Sequence, residues 1–585
     1  MARKGSKRPL GRAVRQFVSY WSHFVSRTWP LLAILAVQAR LSLSLVWSNT
    51  AFTDEALYLQ AGHLEMEHWL HGTAIPAFAT YFSGAPVLYP PLGAMADSIG
   101  GLAAARILSL CFMLCATSLL WAAASQLFDR LTGFYAAGIF AELGTTIRLG
   151  AFATFDAMSL CLLALSTFCV VRAARKERAV GWLVAGALAL AAANATKYAS
   201  ALFDPVVAGI LLMLAAQGRS WRLGLAKSGV MTGYVAGILL FLFSLGGADY
   251  ATGLEQTTLE RANSVDPASA IFSESWHLTA VVVILSSTAV VLSLMIDRYL
   301  LQALLLALLT GAAALAPLEQ ARIHTLTSLD KHVDFGAWFA AIAAGYLIAR
   351  LVQLIEIRPL MWVVTAVSIA ELSFPARIGL IQARALFRSW PNSSAVVAAL
   401  RQVLPGTTGP ILFDDYRSVP QYYIPTAGAQ WYRWSNDSSL RLPDGQSFSV
   451  GVGKDPSPTL YADRVRSGYF SVVVLNHGAA GVFDSFVLPA LKANTHYHLE
   501  ATVPNGEHYS QLWIYRPQTA FRSEKLGPSP VKNDSPFLTL LAPTARLRPI
   551  LSVIEAAVVA SGVAVVVLVF LIRFSWRRGK ACDEI

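Results

Sequence analysis

Apolar runs of helix-spanning length recur along this chain and constrain it more than any other feature. They lie at 28–47, 102–125, 131–147, 156–171, 180–195, 200–214, 228–245, 277–295, 300–316, 333–351, 359–374 and 550–572. A helix crossing a bilayer needs ~20 mostly apolar residues. Only 14% of the 585 residues are charged, against about 25% in an ordinary soluble domain. Disordered, collagen-like and typical cytosolic chains are excluded. The pattern predicts a polytopic α-helical membrane protein with about twelve transmembrane helices, the lipid bilayer being its first partner. Twelve spans would use ~240 residues, so more than half the chain is left for loops and a folded soluble part.

The net charge of +11 reads first as topology. Basic residues sit in short clusters beside apolar runs, with no patterned basic face, so nucleic-acid binding is not expected. Segment 1–27 is basic, with Arg3, Lys4, Lys7, Arg8, Arg12 and Arg15. No small-residue cleavage site follows the first run, which reads as a retained signal anchor. Clusters at 172–178, 217–227 and 356–358, Arg130, Arg298 and the tail from Arg573 to Lys580 fall on the same side. Both termini are then cytoplasmic, and loop 48–102 and segment 376–548 lie outside. The expected organisation is a cytoplasmic N-terminus 1–27, a transmembrane domain 28–375, an extracytoplasmic domain 376–548, and a last span with its tail at 549–585. Arg outnumbers Lys and Ala is abundant, which points to a bacterial protein and so to the plasma (inner) membrane.

Segment 376–548 has an α/β pattern. Helices are expected at 393–404, 419–423 and 485–494, and strands at 410–413, 470–475, 497–503 and 511–515; 426–461 reads as loop. None of the five cysteines falls there, so it folds without disulfides. There is no Walker loop and no Gly-x-Gly-x-x-Gly after a strand, which leaves nucleotide-driven transport unsupported.

Charged residues from distant loops gather on the outer side. Thr53-Asp54-Glu55-Ala56-Leu57-Tyr58 follows the first span, and its two carboxylates fit either a helix N-terminus capped by Thr53 or a reactive pair. Asp156, after Thr154, has the same two readings. Lys197-Tyr198 lie in another outward turn, and Arg322, His324, Asp330, Lys331 and His332 in a third. Charges at span ends are costly unless paired or functional. Arg40, mid-span, is read as a buried partner of Glu142 or Glu371, or as reaching a polar cavity. His63, His68 and His71 near Glu65 and Glu67 fit a zinc site or an amphipathic interfacial helix; their spacing does not repeat a His-x-x-x-His face, and a metal is not favoured. Asp414-Asp415-Tyr416-Arg417 fits a ligand position at a strand end or a plain strand-to-helix turn. Trp431-Tyr432-Arg433-Trp434 fits glycan stacking or local packing.

The stretch from Thr53 to Gly62 resembles the Asp-Glu motif in the first external loop of the GT-C glycosyltransferases. The closer resemblance is to the family 39-like branch that holds the protein O-mannosyltransferases and the lipid A aminoarabinose transferase. Tyr89-Pro90-Pro91-Leu92, Ala104-Ala105-Arg106-Ile107-Leu108-Ser109, Thr154-Phe155-Asp156-Ala157-Met158 and Ala195-Thr196-Lys197-Tyr198 resemble that branch in the same order, over residues 30–375. The resemblance implies a GT-C fold and an inverting transfer of a sugar from a polyprenyl-phosphate donor to an extracytoplasmic glycan, lipid or protein. It implies Asp54 as general base, Glu55 positioning it or a cation, and Asp156 as a second acid that orients the acceptor or pairs with Lys197. Lys197 matches a lysine near the lipid phosphate; Arg322, Lys331 and His332 lie where further phosphate contacts occur. Tyr58, Tyr81, Tyr89 and Tyr198 are candidates for the sugar or acceptor site, interfacial anchoring being the other reading of the first three. No cofactor is implied. The alternatives are a transporter or flippase, which should carry ionisable groups at mid-bilayer, whereas most candidates here fall at the outer face with Arg40 dissenting, and a non-catalytic scaffold binding an envelope polymer.

Overall fold

The computed structural model describes residues 29–516, apart from 176–178, 219, 260–264, 298, 355–375, 416, 427–429, 442–446, 449–456 and 478–480. The basic segment 1–27, the spans expected at 359–374 and 550–572, Glu371 and the C-terminal tail lie outside the described residues. The chain divides into two compact units, Met1–Asn49 with Ala61–Ser389, and Thr50–Gln60 with Trp390–Ile585.

The first unit is helical. It contains α1 (Trp29–Leu43) and most of α2 (Thr53–His71), whose first turns belong to the second unit. Next come α3 (Tyr89–Leu127), α4 (Arg130–Glu142), α5 (Gly144–Leu149), α6 (Phe155–Arg175) and α7 (Val180–Thr196). The remainder are α8 (Asp204–Gly218), α9 (Trp221–Leu254), α10 (Ala268–Leu292), α11 (Leu300–Arg322), α12 (Leu329–Gln353) and α13 (376–387). Pro90 and Pro91 open α3, where first-turn amides have no intrahelical acceptor and a missing N–H is harmless. The helix kinks at Gly100-Gly101, with Gly101 at φ +65°, a conformation glycine adopts without a Cβ penalty. Beyond the kink α3 follows the span expected from residue 102.

Among the described residues, seven helical stretches are long and apolar enough to cross a membrane. Two further apolar helices, Trp29–Leu43 and Val180–Thr196, are shorter. The single span expected at 131–147 is instead two helices, because Leu143 is extended (φ −63°, ψ 138°) between α4 and α5. The chain is an integral membrane protein by this helical content. Helix α12 runs through the core of the first unit, buried along most of its length. Small residues such as Gly336, Ala340, Ala344 and Gly345 allow close helix approach, the main attraction between helices in lipid. The fully buried Trp338 donates its indole N–H to the Ala116 carbonyl at 3.1 Å.

The second unit is built on a sheet. Its helices are α14 (Ser394–Val403), α15 (Ser418–Tyr423), α16 (Pro458–Arg466) and α17 (Gly481–Ala493). Its strands are β1 (Ile411–Phe413), β2 (Trp434–Ser435), β3 (Leu440–Arg441), β4 (Ser447–Phe448), β5 (Val472–His477), β6 (Tyr497–Asn505) and β7 (His508–Tyr515). Five of these form one sheet in the order β2-β1-β5-β7-β6, and β3 pairs with β4. The β2-β1-β5 pairings are parallel and those of β7 antiparallel. Strand β5 is apolar on both faces. Val473 and Leu475 pack with Leu491 and Tyr461, while Val472 and Val474 pack with Leu400 and Trp434. Alternate side chains point to opposite faces of a strand, so the uninterrupted run Val472-Val473-Val474-Leu475 marks a strand covered on both sides. The stretch 426–461, expected as loop, contains β2, β3, β4 and the start of α16.

Candidate functional site

The acidic motif opens α2. The Phe52 carbonyl accepts from the Ala56 amide at 2.9 Å, which makes Phe52 the N-cap and Thr53 the first helical residue. The Glu55 carboxylate turns back and accepts the Phe52 amide at 3.0 Å. That is one half of a capping box, and it satisfies an amide that the helix cannot. Thr53, expected as the cap, uses its hydroxyl elsewhere: it lies 2.9 Å from the Ser418 hydroxyl. Glu55 is fully buried, whereas Asp54 is half-buried. Tyr58, one turn on, is buried. All of these residues belong to the second unit.

The first unit holds a buried charged group around the start of α6. Asp156 accepts a hydrogen bond from the Thr154 hydroxyl at 2.9 Å, and its other oxygen lies 3.8 Å from Lys197 Nζ. Lys197 follows the end of α7 in extended conformation and donates to the Ser83 hydroxyl at 2.9 Å. The Tyr198 amide donates to the Ser83 carbonyl, and the Ala85 amide to the Ala195 carbonyl, at 2.9 and 2.8 Å. Between them Gly84 is pressed so close that a Cβ would stand 1.9 Å from the Thr196 oxygen. Lys331 and His332, on the first turn of α12, act electrostatically on Asp156. His332 Nδ1 lies 2.9 Å from the Gln320 amide nitrogen. The Phe152 ring carries Arg148 at 4.6 Å and Lys331 at 5.9 Å, and Arg148 is ion-paired with Asp330. Asp156, Lys197, Lys331, His332 and Arg148 are all buried.

Aromatic rings surround this α6 start. Phe155 packs on Phe82 at 6.0 Å and on Tyr89 at 5.7 Å, and Tyr81 sits edge-on to Phe82 at 5.2 Å. Tyr89 is fully buried and Tyr81 is exposed. Arg322 is not drawn into the group: it stands exposed at the end of α11, with Glu319 at 2.8 and 2.6 Å. Arg148 escaped the sequence reading because it was placed just past the end of an expected span; a charge there is itself the signal that could have found it. Arg106 is fully buried and donates to the carbonyls of Val46 and Asn49 at 2.7 and 3.0 Å.

The remaining sequence candidates resolve locally. Arg40 is exposed on α1, and Glu371, one of its two expected partners, lies outside the described residues. His63 faces Asp97 at 2.8 Å, His68 the Thr73 carbonyl at 2.7 Å and His71 Glu67 at 3.2 Å. Among the described residues no three His, Cys, Asp or Glu side chains converge as metal ligands. Asp414 turns inward and accepts from the Asn476 amide and side chain at 2.6 and 2.7 Å. Trp434 is buried in β2, and Arg433 donates to the carbonyls of Thr407 and Gly409; the local-packing reading fits both.

Residues 97–245 match the dolichyl-phosphate-mannose-protein mannosyltransferase family. The fold is similar to that of ArnT from Cupriavidus metallidurans bound to undecaprenyl phosphate, with a TM-score of 0.55 at 13% identity over 83% of this chain and 98% of that one. The chain carries the GT-C glycosyltransferase fold. The same ArnT in its apo state gives 0.51 at 14% identity over the same shares. A second GT-C neighbour is the archaeal oligosaccharyltransferase AglB from Archaeoglobus fulgidus, solved with an inhibitory peptide and a dolichol-phosphate. It gives 0.52 at 11% identity, over 81% of this chain and 73% of that one. No curated protein sequence matches this chain significantly.

Proposed function

We propose that the chain is an inverting glycosyltransferase that moves a sugar from a polyprenyl phosphate to an acceptor outside the cytoplasm. The observation that carries this reading is the buried Lys197–Asp156 pair, with Lys331 and His332 also buried on the first turn of α12, in a chain of GT-C fold. ArnT with undecaprenyl phosphate and AglB with a dolichol-phosphate, both of similar fold, support a lipid-phosphate donor.

In the proposed step the acceptor hydroxyl oxygen bonds to the anomeric carbon as the bond from that carbon to the phosphate oxygen breaks. The hydroxyl proton goes to a carboxylate and the electron pair leaves on phosphate. Asp54 is the proposed base. Glu55 already accepts a backbone amide and is fully buried, so its work is to close the helix cap beneath Asp54. The leaving phosphate is a stable anion and needs cations and hydrogen-bond donors rather than the second carboxylic acid of a glycosidase. Lys197, Lys331 and His332 are proposed to supply them, with Asp156 setting the position of Lys197. Tyr81, Tyr89 and Tyr198 are proposed to bound the sugar or acceptor. Arg322, held by Glu319, is left outside this assignment. We place the protein in a bacterial plasma membrane with both termini cytoplasmic and residues 376–548 on the acceptor side.

The test is sugar transfer by the purified protein from a panel of radiolabelled polyprenyl-phosphate sugars to envelope fractions, comparing wild type with Asp54→Asn. Label moved to an acceptor with release of polyprenyl phosphate, lost in the variant, establishes the reaction and names the donor. Turnover that survives in Asp54→Asn removes Asp54 as the base.

A further inference from the structure

The second unit contains an N-terminal piece of chain, and the geometry points to why. Four consecutive residues before Asp54 are each gripped by groups far along the sequence. The Trp390 indole N–H donates to the Thr50 carbonyl at 3.1 Å, and the Ser393 amide donates to the Thr50 hydroxyl at 3.1 Å. The Ala51 amide donates to the Tyr423 hydroxyl at 2.8 Å. The Phe52 ring packs on Trp390 with centroids 5.1 Å apart. The Thr53 hydroxyl lies 2.9 Å from the Ser418 hydroxyl, which is also 3.3 Å from the Thr53 carbonyl. Asp54 follows immediately.

The grip comes from rigid parts. Ser418 and Tyr423 begin and end α15, which follows β1, and β1 is paired to β2 and β5 in the sheet. Beside the Phe52–Trp390 ring contact, the contacts are directional hydrogen bonds to the Thr50 carbonyl and hydroxyl, the Ala51 amide and the Thr53 hydroxyl and carbonyl. Those hydrogen bonds fix translation and rotation of the segment, as the ring contact alone would not. Reactive groups held on rigid elements keep their geometry better than groups on loops.

We infer that the sheet-bearing unit is a positioning element for the Asp54 carboxylate, with Tyr423, Ser418 and Trp390 as positioning residues. The inference rests on the reading of Asp54 as the base, and it gives the C-terminal part of the chain a role in the chemistry that is separate from any contact with the acceptor.

The test uses the full chain in membrane-mimetic particles, comparing wild type with the paired substitutions Tyr423→Phe and Ser418→Ala. Hydrogen–deuterium exchange of peptides covering residues 50–60 should speed up at least about tenfold, with exchange over β5 and β7 unchanged as the control for unfolding. With a donor accepted by the wild type, kcat should fall by about 10- to 100-fold, the cost of a misplacement near 1 Å. The KM for the lipid donor should stay within about twofold, and Ser418→Thr, which keeps the hydroxyl, should retain the turnover that the single Ser418→Ala variant loses. Unchanged exchange over 50–60 overturns the inference, and so does faster exchange with unchanged kcat. Failure of the base reading looks different: Asp54→Asn then keeps its turnover whatever the Tyr423 variant does, and the positioning role falls with it.

Discussion

Lys197 Nζ stands 3.8 Å from Asp156 Oδ1, with the two side chains only 4% and 1% exposed. A buried ion pair adds little over a well-packed apolar pair, but removing one partner strands the other charge. Lys197→Met should therefore destabilise the first unit by about 3–5 kcal/mol. Lys197→Met combined with Asp156→Asn should recover part of the loss, with a coupling of about 1–3 kcal/mol. Thermal unfolding of the four proteins in detergent measures the cycle. Strictly additive losses would show that the pair does not interact.

The turn at Gly84 makes a second prediction. A Cβ there meets the Thr196 oxygen at 1.9 Å, a backbone atom that cannot swing aside. Gly84→Ala should push the Ser83–Ala85 turn off Lys197 and cost about 1–3 kcal/mol, the usual range for overpacking. On the proposed donor-phosphate role of Lys197, binding of undecaprenyl phosphate, followed by quenching of intrinsic fluorescence, should weaken in parallel. A variant of wild-type stability and binding would mean that the turn can move.

Arg322 sets the opposite expectation. Its side chain is 59% exposed beside Glu319, and exposed pairs contribute about 0–1 kcal/mol. Arg322→Gln should leave both the unfolding midpoint and undecaprenyl phosphate binding near wild type. A tenfold loss of binding would return Arg322 to the phosphate-binding group.

The second unit should show its own pH dependence. Burial raises the Asp414 carboxyl well above its ordinary value, the nearby Asp484 and Asp415 raise it further, and the Asn476 amide opposes them. Between the unfolded value, ~3.9, and the raised native one, the native state holds a proton that the unfolded state has lost. Stability is then full below that window and falls as pH rises through it, by at most about 1.4 kcal/mol per pH unit for one proton. Asp414→Asn should flatten this slope. Thermal unfolding of the full chain across the window, with exchange over β5 as the local readout, decides it; an unchanged slope would assign the proton elsewhere.

Strand β5 could be read in the sequence because its four-residue apolar run has no polar break, and α14 because its apolar residues repeat at helical spacing. The break at Leu143 could not. Residues on both sides of it are apolar, and hydropathy does not register one extended residue between two helices. Strand β2, two residues long, offers no pattern to find. In the motif, the Asp-Glu pair was legible but its division of labour was not. Thr53 looks like the cap, yet Glu55 reaches back to Phe52 while Ser418, hundreds of residues away in sequence, takes up the Thr53 hydroxyl. Arg148 hid for a related reason, since its partner Asp330 is contributed by another helix.

The bond from the Ala51 amide to the Tyr423 hydroxyl joins residues 372 apart. A ribosome adding about 5–20 residues per second needs on the order of tens of seconds to cover that distance. The acidic segment thus waits, through synthesis of every helix from α3 to α14, for the hydroxyl that anchors it. A nascent chain, or one cut short before Tyr423, would hold the apolar helices of the first unit and still lack a fixed acid. On the positioning reading, the proposed chemistry requires residue 423 to have been made, so a chain that has not reached it holds membrane helices without a fixed base.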